Sequence, residues 1–138
     1  MKNKILSLLK GMHCDSKKES FKCEKEICNI ISEFINKRIT IEKIIDVYLG
    51  EYPEKITGVD ASCIVESSTE LPEYIECQTN YMYDCYRFYT KWLEMNWEEY
   101  FNELKSRRIS SIKNTIKNVE ESLEKHKKEL NRVHKLKY

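Results

Sequence analysis

The chain is poor in the residues that interrupt regular structure. Of 138 residues, three are glycine and two are proline, and residues 73–138 contain neither. An all-β domain needs more turn residues than that, so the scarcity points to helices. Three isolated glycines also cannot build a phosphate-binding loop. Long apolar runs are missing as well. No segment reaches the roughly 18 apolar residues of a membrane span. The stretch 5–9, with Lys4 and Lys10 on either side, falls short of the roughly 7–15 residues of a signal-peptide core. No Asn-x-Ser/Thr glycosylation site occurs. These absences predict an intracellular, cytoplasmic protein with no membrane association.

Chemistry-bearing patterns are equally sparse. There are six cysteines, Cys14, Cys23, Cys28, Cys63, Cys77 and Cys85, but no Cys-x-x-Cys pair, the signature that marks zinc sites. His13, Cys14, Cys23 and Cys28 match no common ligand spacing, and thiols of this kind serve as small apolar residues. Glu99 and Glu103 share a helical face, as paired acids of a di-metal bundle do. That chemistry also wants a Glu-x-x-His, and Lys10, Leu123 and Asn131 stand three residues before the histidines. Nothing in the sequence places a base beside a nucleophile. The expectation is a protein that is not an enzyme, with no catalytic residues, no metal and no cofactor.

What is present is helical periodicity. Ile5, Leu8, Leu9 and Met12 recur at i, i+3, i+4 and i+7, predicting a short helix that ends near Gly11. Ser16 and Glu19 form a capping box for a second helix running to about Lys37, with Phe21, Cys28, Ile31 and Ile35 inward and Ile27 and Phe34 beside them. Thr40 reads as the next cap. Ile41, Ile44, Ile45, Tyr48 and Leu49 keep helical spacing up to Gly50, a natural left-handed stop with Pro53 beyond. Residues 51–72 read as an ordered loop whose island Cys63-Ile64-Val65 plugs the core. A lone strand there has no evident partner, and a two-stranded ribbon is the lesser alternative.

From residue 73 the sequence predicts one long helical run. Nine of the fifteen aromatics fall in residues 81–101, and at about 100° per residue they wrap more than half the helix, which would need cover on two sides. After Leu104 the phase slips through residues 105–108. A heptad stripe then begins, with Ile109, Ile116, Leu123 and Leu130 at one seam position and Ile112, Val119, His126 and Val133 at the other. A stripe this narrow suits a coiled coil or one side of a bundle. A histidine in the seam would fix register and could make assembly sensitive to pH. The fold expected from the sequence is therefore all-α: one domain over 1–138, with short helices (1–50), an ordered loop (51–72), an aromatic core helix (73–106) and a basic amphipathic helix (107–138) serving as an oligomerisation arm.

Charge is distributed in blocks. Residues 1–45 carry +4, residues 46–104 carry −10 and residues 105–138 carry +7, for a net +1. The basic tail could fold back on the acidic middle, bind nucleic acid, or leave an acidic face for a basic partner, even as a nucleic-acid mimic. The leading expectation is a small regulator or inhibitor that masks a protein partner. It would use Ile109, Ile112, Ile116, Val119, Leu123, Leu130 and Val133 as a partner or self-association seam, with a homodimer as one outcome. The alternative is a nucleic-acid-binding accessory protein using Arg107, Arg108, Lys113 and Lys117. Four glutamates interrupt that basic tail and no aromatic is interleaved before Tyr138, so base stacking is not prepared.

Overall fold

The computed structural model of the chain describes residues 1–47, 52–53, 55–62, 64, 67–80 and 85–137. In chain order the elements are α1 (Lys2–Met12), α2 (Lys17–Ile45), β1 (Ile56–Asp60), β2 (Tyr74–Thr79), β3 (Cys85–Tyr89), a 3-10 turn (Thr90–Glu94) and α3 (Trp97–His134). The all-α expectation, a helical bundle around a long aromatic helix, is wrong. The described residues form a mixed structure: three helices with a three-stranded antiparallel sheet in the order β1-β2-β3.

The error has a physical source. Without glycine or proline nothing in residues 73–96 breaks a helix locally, but the side chains alternate as a strand requires. Ile75 and Cys77 on β2 are buried while Gln78 is exposed, and on β3 Phe88 is buried between exposed Arg87 and half-buried Tyr89. The missing partner strand is β1, inside the stretch read as loop. Val59 pairs with Cys77 and Asp60 with Glu76, while β2 pairs with β3 through Ile75–Phe88 and Cys77–Tyr86. Non-local pairing overrides the local helical pattern, and β-branched and aromatic side chains favour it.

α1 and the start of α2 follow the sequence reading. The Ser16 Oγ accepts from the Glu19 N–H at 3.4 Å, and α1 lays Ile5 and Leu9 into the core formed with Ile27 and Ile31. A Cβ at Gly11 would stand 2.7 Å from the Cys23 Sγ, so glycine there lets the end of α1 approach α2. The Ser20 Oγ donates to the Met12 carbonyl at 2.9 Å and secures the turn between the helices.

Three details depart from the sequence reading. Phe21 is exposed rather than inward. The helix also does not stop near Lys37: Thr40 is interior, its Oγ1 donating back to the Asn36 carbonyl at 2.8 Å. The left-handed terminal residue is Asp46, at φ 55°, whereas the expected stop at Gly50 lies outside the described residues. Aspartate is one of the few residues besides glycine that visits that backbone region readily.

α2 covers one face of the sheet. Ile27, Cys28, Ile31 and Ile35 meet Ile56, Val59, Ile75, Cys77 and Phe88 in a continuous core. Ile64 joins it from the following loop, as the core-plugging island predicted; Cys63 and Val65 lie outside the described residues. Side chains stitch the layers together. The Ser32 Oγ accepts from the Ile56 N–H at 3.0 Å, and a His13 ring nitrogen bonds the Ala61 carbonyl at 2.8 Å. The Thr90 Oγ1 donates to the Pro72 carbonyl at 2.7 Å. Burial pushes the Cys28 thiol up to about 11 and the Cys77 thiol up to about 12, so both are protonated packing groups at neutral pH.

Candidate functional site

α3 begins inside this structure and ends outside it. The Asn96 Oδ1 caps it by accepting from the Glu98 and Glu99 N–H groups at 3.1 and 3.4 Å, with those two carboxylates favourably placed at the N-terminal end of the helix dipole. The aromatic block gathers here, at a three-way junction rather than along one helix. Phe34 of α2 contacts Phe88 of β3 at 6.1 Å and Trp97 of α3 at 6.0 Å, and Phe88 meets Trp92 edge-on at 5.3 Å.

An ion pair sits at the centre of the junction. Arg38 bonds Glu42 at 3.1 Å one helical turn on, and its guanidinium lies 4.8 Å from the Trp92 ring, 5.1 Å from Tyr52 and 5.6 Å from Tyr100. Glu42 is only 5% exposed. Its Oε1 also accepts from the Tyr100 hydroxyl, tying α3 to α2. Burial first, then this hydrogen bond, push the Tyr100 hydroxyl up to about 12. Nearby, the buried Tyr86 hydroxyl has no hydrogen-bond partner among the described residues. One turn further on α3, Leu104 is buried, and Arg108 pairs with Asp46 at 3.0 Å. These contacts fix where α3 leaves the molecule and in which direction.

Beyond Arg108 every described residue of α3 is exposed. The 26 helical residues after it extend about 39 Å at 1.5 Å per residue. The seam residues Ile109, Ile112, Ile116, Val119, Leu123, Leu130 and Val133 are 43–61% exposed, so the structure sets all of them along one uncovered stripe. His126 interrupts the stripe, and its Nδ1 lies 2.8 Å from the Ser122 carbonyl. A carbonyl can only accept, so Nδ1 carries the proton and Nε2 is the nitrogen left available for other contacts.

The other candidate groups are placed differently. Of the basic residues, Arg107 pairs with Glu103, Arg108 with Asp46, and Lys117 with Glu121 at 4.0 Å. They are not gathered into an open basic patch, and Lys113 lies further along the exposed arm. The basic tail does not fold back over the acidic middle. Past Arg108, the ion pairs among the described residues stay within the helix: Lys117 with Glu121 and Arg132 with Glu129.

The acidic block is partly neutralised. Besides the Arg107 and Arg108 pairs at the root of the arm, Glu94 meets Lys2 at 2.6 Å and Glu76 meets Arg87 at 3.8 Å. A cleft of about 310 Å³ opens beside Asp60, Glu73 and Glu76. The Asp60 carboxylate there accepts from the Ser62 N–H at 2.8 Å, which holds it below the usual carboxylate range. Among the described residues no three His, Cys, Asp or Glu side chains gather as a metal ion would require, and no described helix is long and apolar enough to cross a membrane.

No protein-family model matches the chain, and neither curated proteins nor solved structures give a match.

The apolar stripe itself is legible in the sequence, but the junction that aims it is not. Arg38 and Glu42 stand four apart on a helix, the spacing of an intrahelical ion pair. That was a readable signal, but nothing local says that Tyr100, 58 residues on, completes it.

Proposed function

We propose that this protein is a non-enzymatic interaction protein in which a compact head presents a projecting helix, and that the apolar stripe of that helix docks on a protein partner. One observation supports this most directly: a sustained heptad stripe lies on a helix segment whose residues are all exposed, with no cover from the described residues of its own chain. Apolar side chains in continuous exposed patches mark interaction surfaces, whereas scattered ones carry no message. The rigid root serves the same end. A helix anchored through Trp97, Tyr100, Leu104 and Arg108 holds its outer turns in a defined direction, which lowers the ordering cost of docking. Action would be steric, by occupying or masking the partner's surface.

The test compares the native chain with an Ile116→Asp, Leu123→Asp double variant in capture from the source cell. The expected result is a defined protein recovered with the native chain and lost with the variant. Recovery that is the same for both would remove the seam from the account. The basic-tail reading makes a different prediction, binding to nucleic acid that falls steeply with salt. The ion pairs of Arg107, Arg108 and Lys117 give it less support.

A further inference from the structure

We propose that the occupant of the stripe is the same helix from two further copies of this chain, forming a parallel three-stranded coil over residues 109–133. This rests on the docking reading above and names its partner. The strand number comes from which apolar residue stands where. The 3–4 spacing puts Ile109, Ile116, Leu123 and Leu130 at heptad position a, and Ile112, Val119, His126 and Val133 at d. Two-stranded coils favour β-branched residues at a with leucine at d, and isoleucine at both positions shifts preference to more strands. Here no d position holds leucine, and the seam opens with Ile109 over Ile112 and continues with Ile116 over Val119.

The flanks limit the number from above. On one side the two middle flanking residues, Thr115 and Ser122, are small and uncharged between Arg108 and Glu129, so the contact can widen there beyond a two-stranded seam. On the other, Lys113, Glu120 and Lys127 keep the apolar face too narrow for four strands. Area argues the same way. Side chains of this kind bury on the order of 60–120 Å² each, so the seven apolar positions offer roughly 400–800 Å² per chain. That is at or below the ~800 Å² per partner of an ordinary stable interface. A three-stranded coil gives every helix two neighbours and covers the stripe more completely.

Direction follows from charge. An antiparallel pair that overlaps the whole stripe, Ile109 opposite Val133, sets Glu120 against the neighbouring copy's Glu120 and Lys113 against its Lys127, and a one-heptad slip that relieves this gives up two of the eight layers. A parallel arrangement brings Thr115 beside Glu120 and Ser122 beside Lys127. Its one like-charge contact, Arg108 with Lys113, is eased because Arg108 already pairs with Asp46 at 3.0 Å. The head packs on a different face of α3 from the stripe. It covers the face of α3 that carries Trp97, Tyr100, Leu104 and Arg108, and at 3.6 residues per turn the first seam residues sit about 100° away. The His126 rings form the one polar layer. Each is oriented by its bond to the Ser122 carbonyl, and the layer fixes register at a cost in stability.

The test is sedimentation equilibrium of the full chain through the micromolar range, beside the Ile116→Asp, Leu123→Asp and His126→Ile variants. The expected native mass is three times the 16.6 kDa chain. The double aspartate variant should sediment as one chain with the head's near-ultraviolet circular dichroism retained. The His126→Ile variant should keep the three-chain mass to at least a tenfold lower concentration, which also covers an aspartate variant that fails to fold. A native mass of one, two or four chains overturns the proposal. A single-chain native mass overturns self-assembly alone, and the docking reading is then decided by the capture comparison. A three-chain mass that survives both aspartates removes the seam and overturns the two together.

Discussion

One helix has two environments, and the contrast explains most of this molecule. From Trp97 to Arg108, α3 is held by aromatic rings, by the Glu42 carboxylate and by a buried Leu104. From Ile109 onward it has the same backbone and a more regular apolar pattern, and every residue to His134 is exposed. Helices in proteins draw most of their stability from a packed face. The first segment has that face within the chain, and the second has the stripe without the cover. The difference marks the outer segment as the surface on which the proposed docking rests.

Substitutions on the two sides should therefore differ sharply. The largest effect belongs to the junction: Phe88→Ala empties a fully buried site that contacts Phe34 and Trp92, and should cost about 3–5 kcal/mol in denaturant unfolding. Ile116→Asp with Leu123→Asp, made on residues exposed by half or more, should leave the head's own unfolding within about 0.5 kcal/mol per site. Comparable losses from both variants would erase the distinction between head and arm.

Next comes the ion pair. Glu42→Ala leaves the Arg38 guanidinium among Tyr52, Trp92 and Tyr100 without its carboxylate, and should cost about 3 kcal/mol, the lower end for breaking a buried pair. A change below about 1 kcal/mol would mean that the aromatic rings alone hold α3. The Tyr100 hydroxyl makes the same junction sensitive to alkali. Its pKa is raised from an ordinary 10.0 to about 12 by burial and by donation to Glu42. A raised value means that its contribution is complete below pH 10 and is lost as pH climbs through about 12. Tyr100→Phe should flatten that alkaline limb of stability, and an unchanged limb would separate Tyr100 from the anchor. The smallest effect is expected at the surface, where Arg108→Ala removes an exposed pair with Asp46 and should cost less than about 1 kcal/mol.

What the sequence made legible follows the same division. The stripe at residues 109–133 could be read because a heptad is local: each residue's partner face is set by its neighbours three and four away. α1 and the Ser16 cap were legible for that reason too. The sheet was not, since Val59, Cys77 and Tyr86 meet only across the strand register, and the absence of glycine and proline hid the boundaries between strand and helix. The alternation of Tyr74, Ile75, Glu76 and Cys77 was the available signal. Its reading required a partner strand, and β1 looked like loop because Gly58 and Asp60 lie within it. The junction was least legible of all: Glu42 and Tyr100 are joined by the fold alone.

Hydrogen exchange along α3, read in the native chain and in the Ile116→Asp, Leu123→Asp variant, tests the division most directly. The account predicts amides of residues 97–108 equally protected in both proteins, and amides of residues 109–134 protected in the native chain but fast in the variant. Outer-arm amides that exchange equally fast in both would contradict the claim that the stripe is a covered interface in solution.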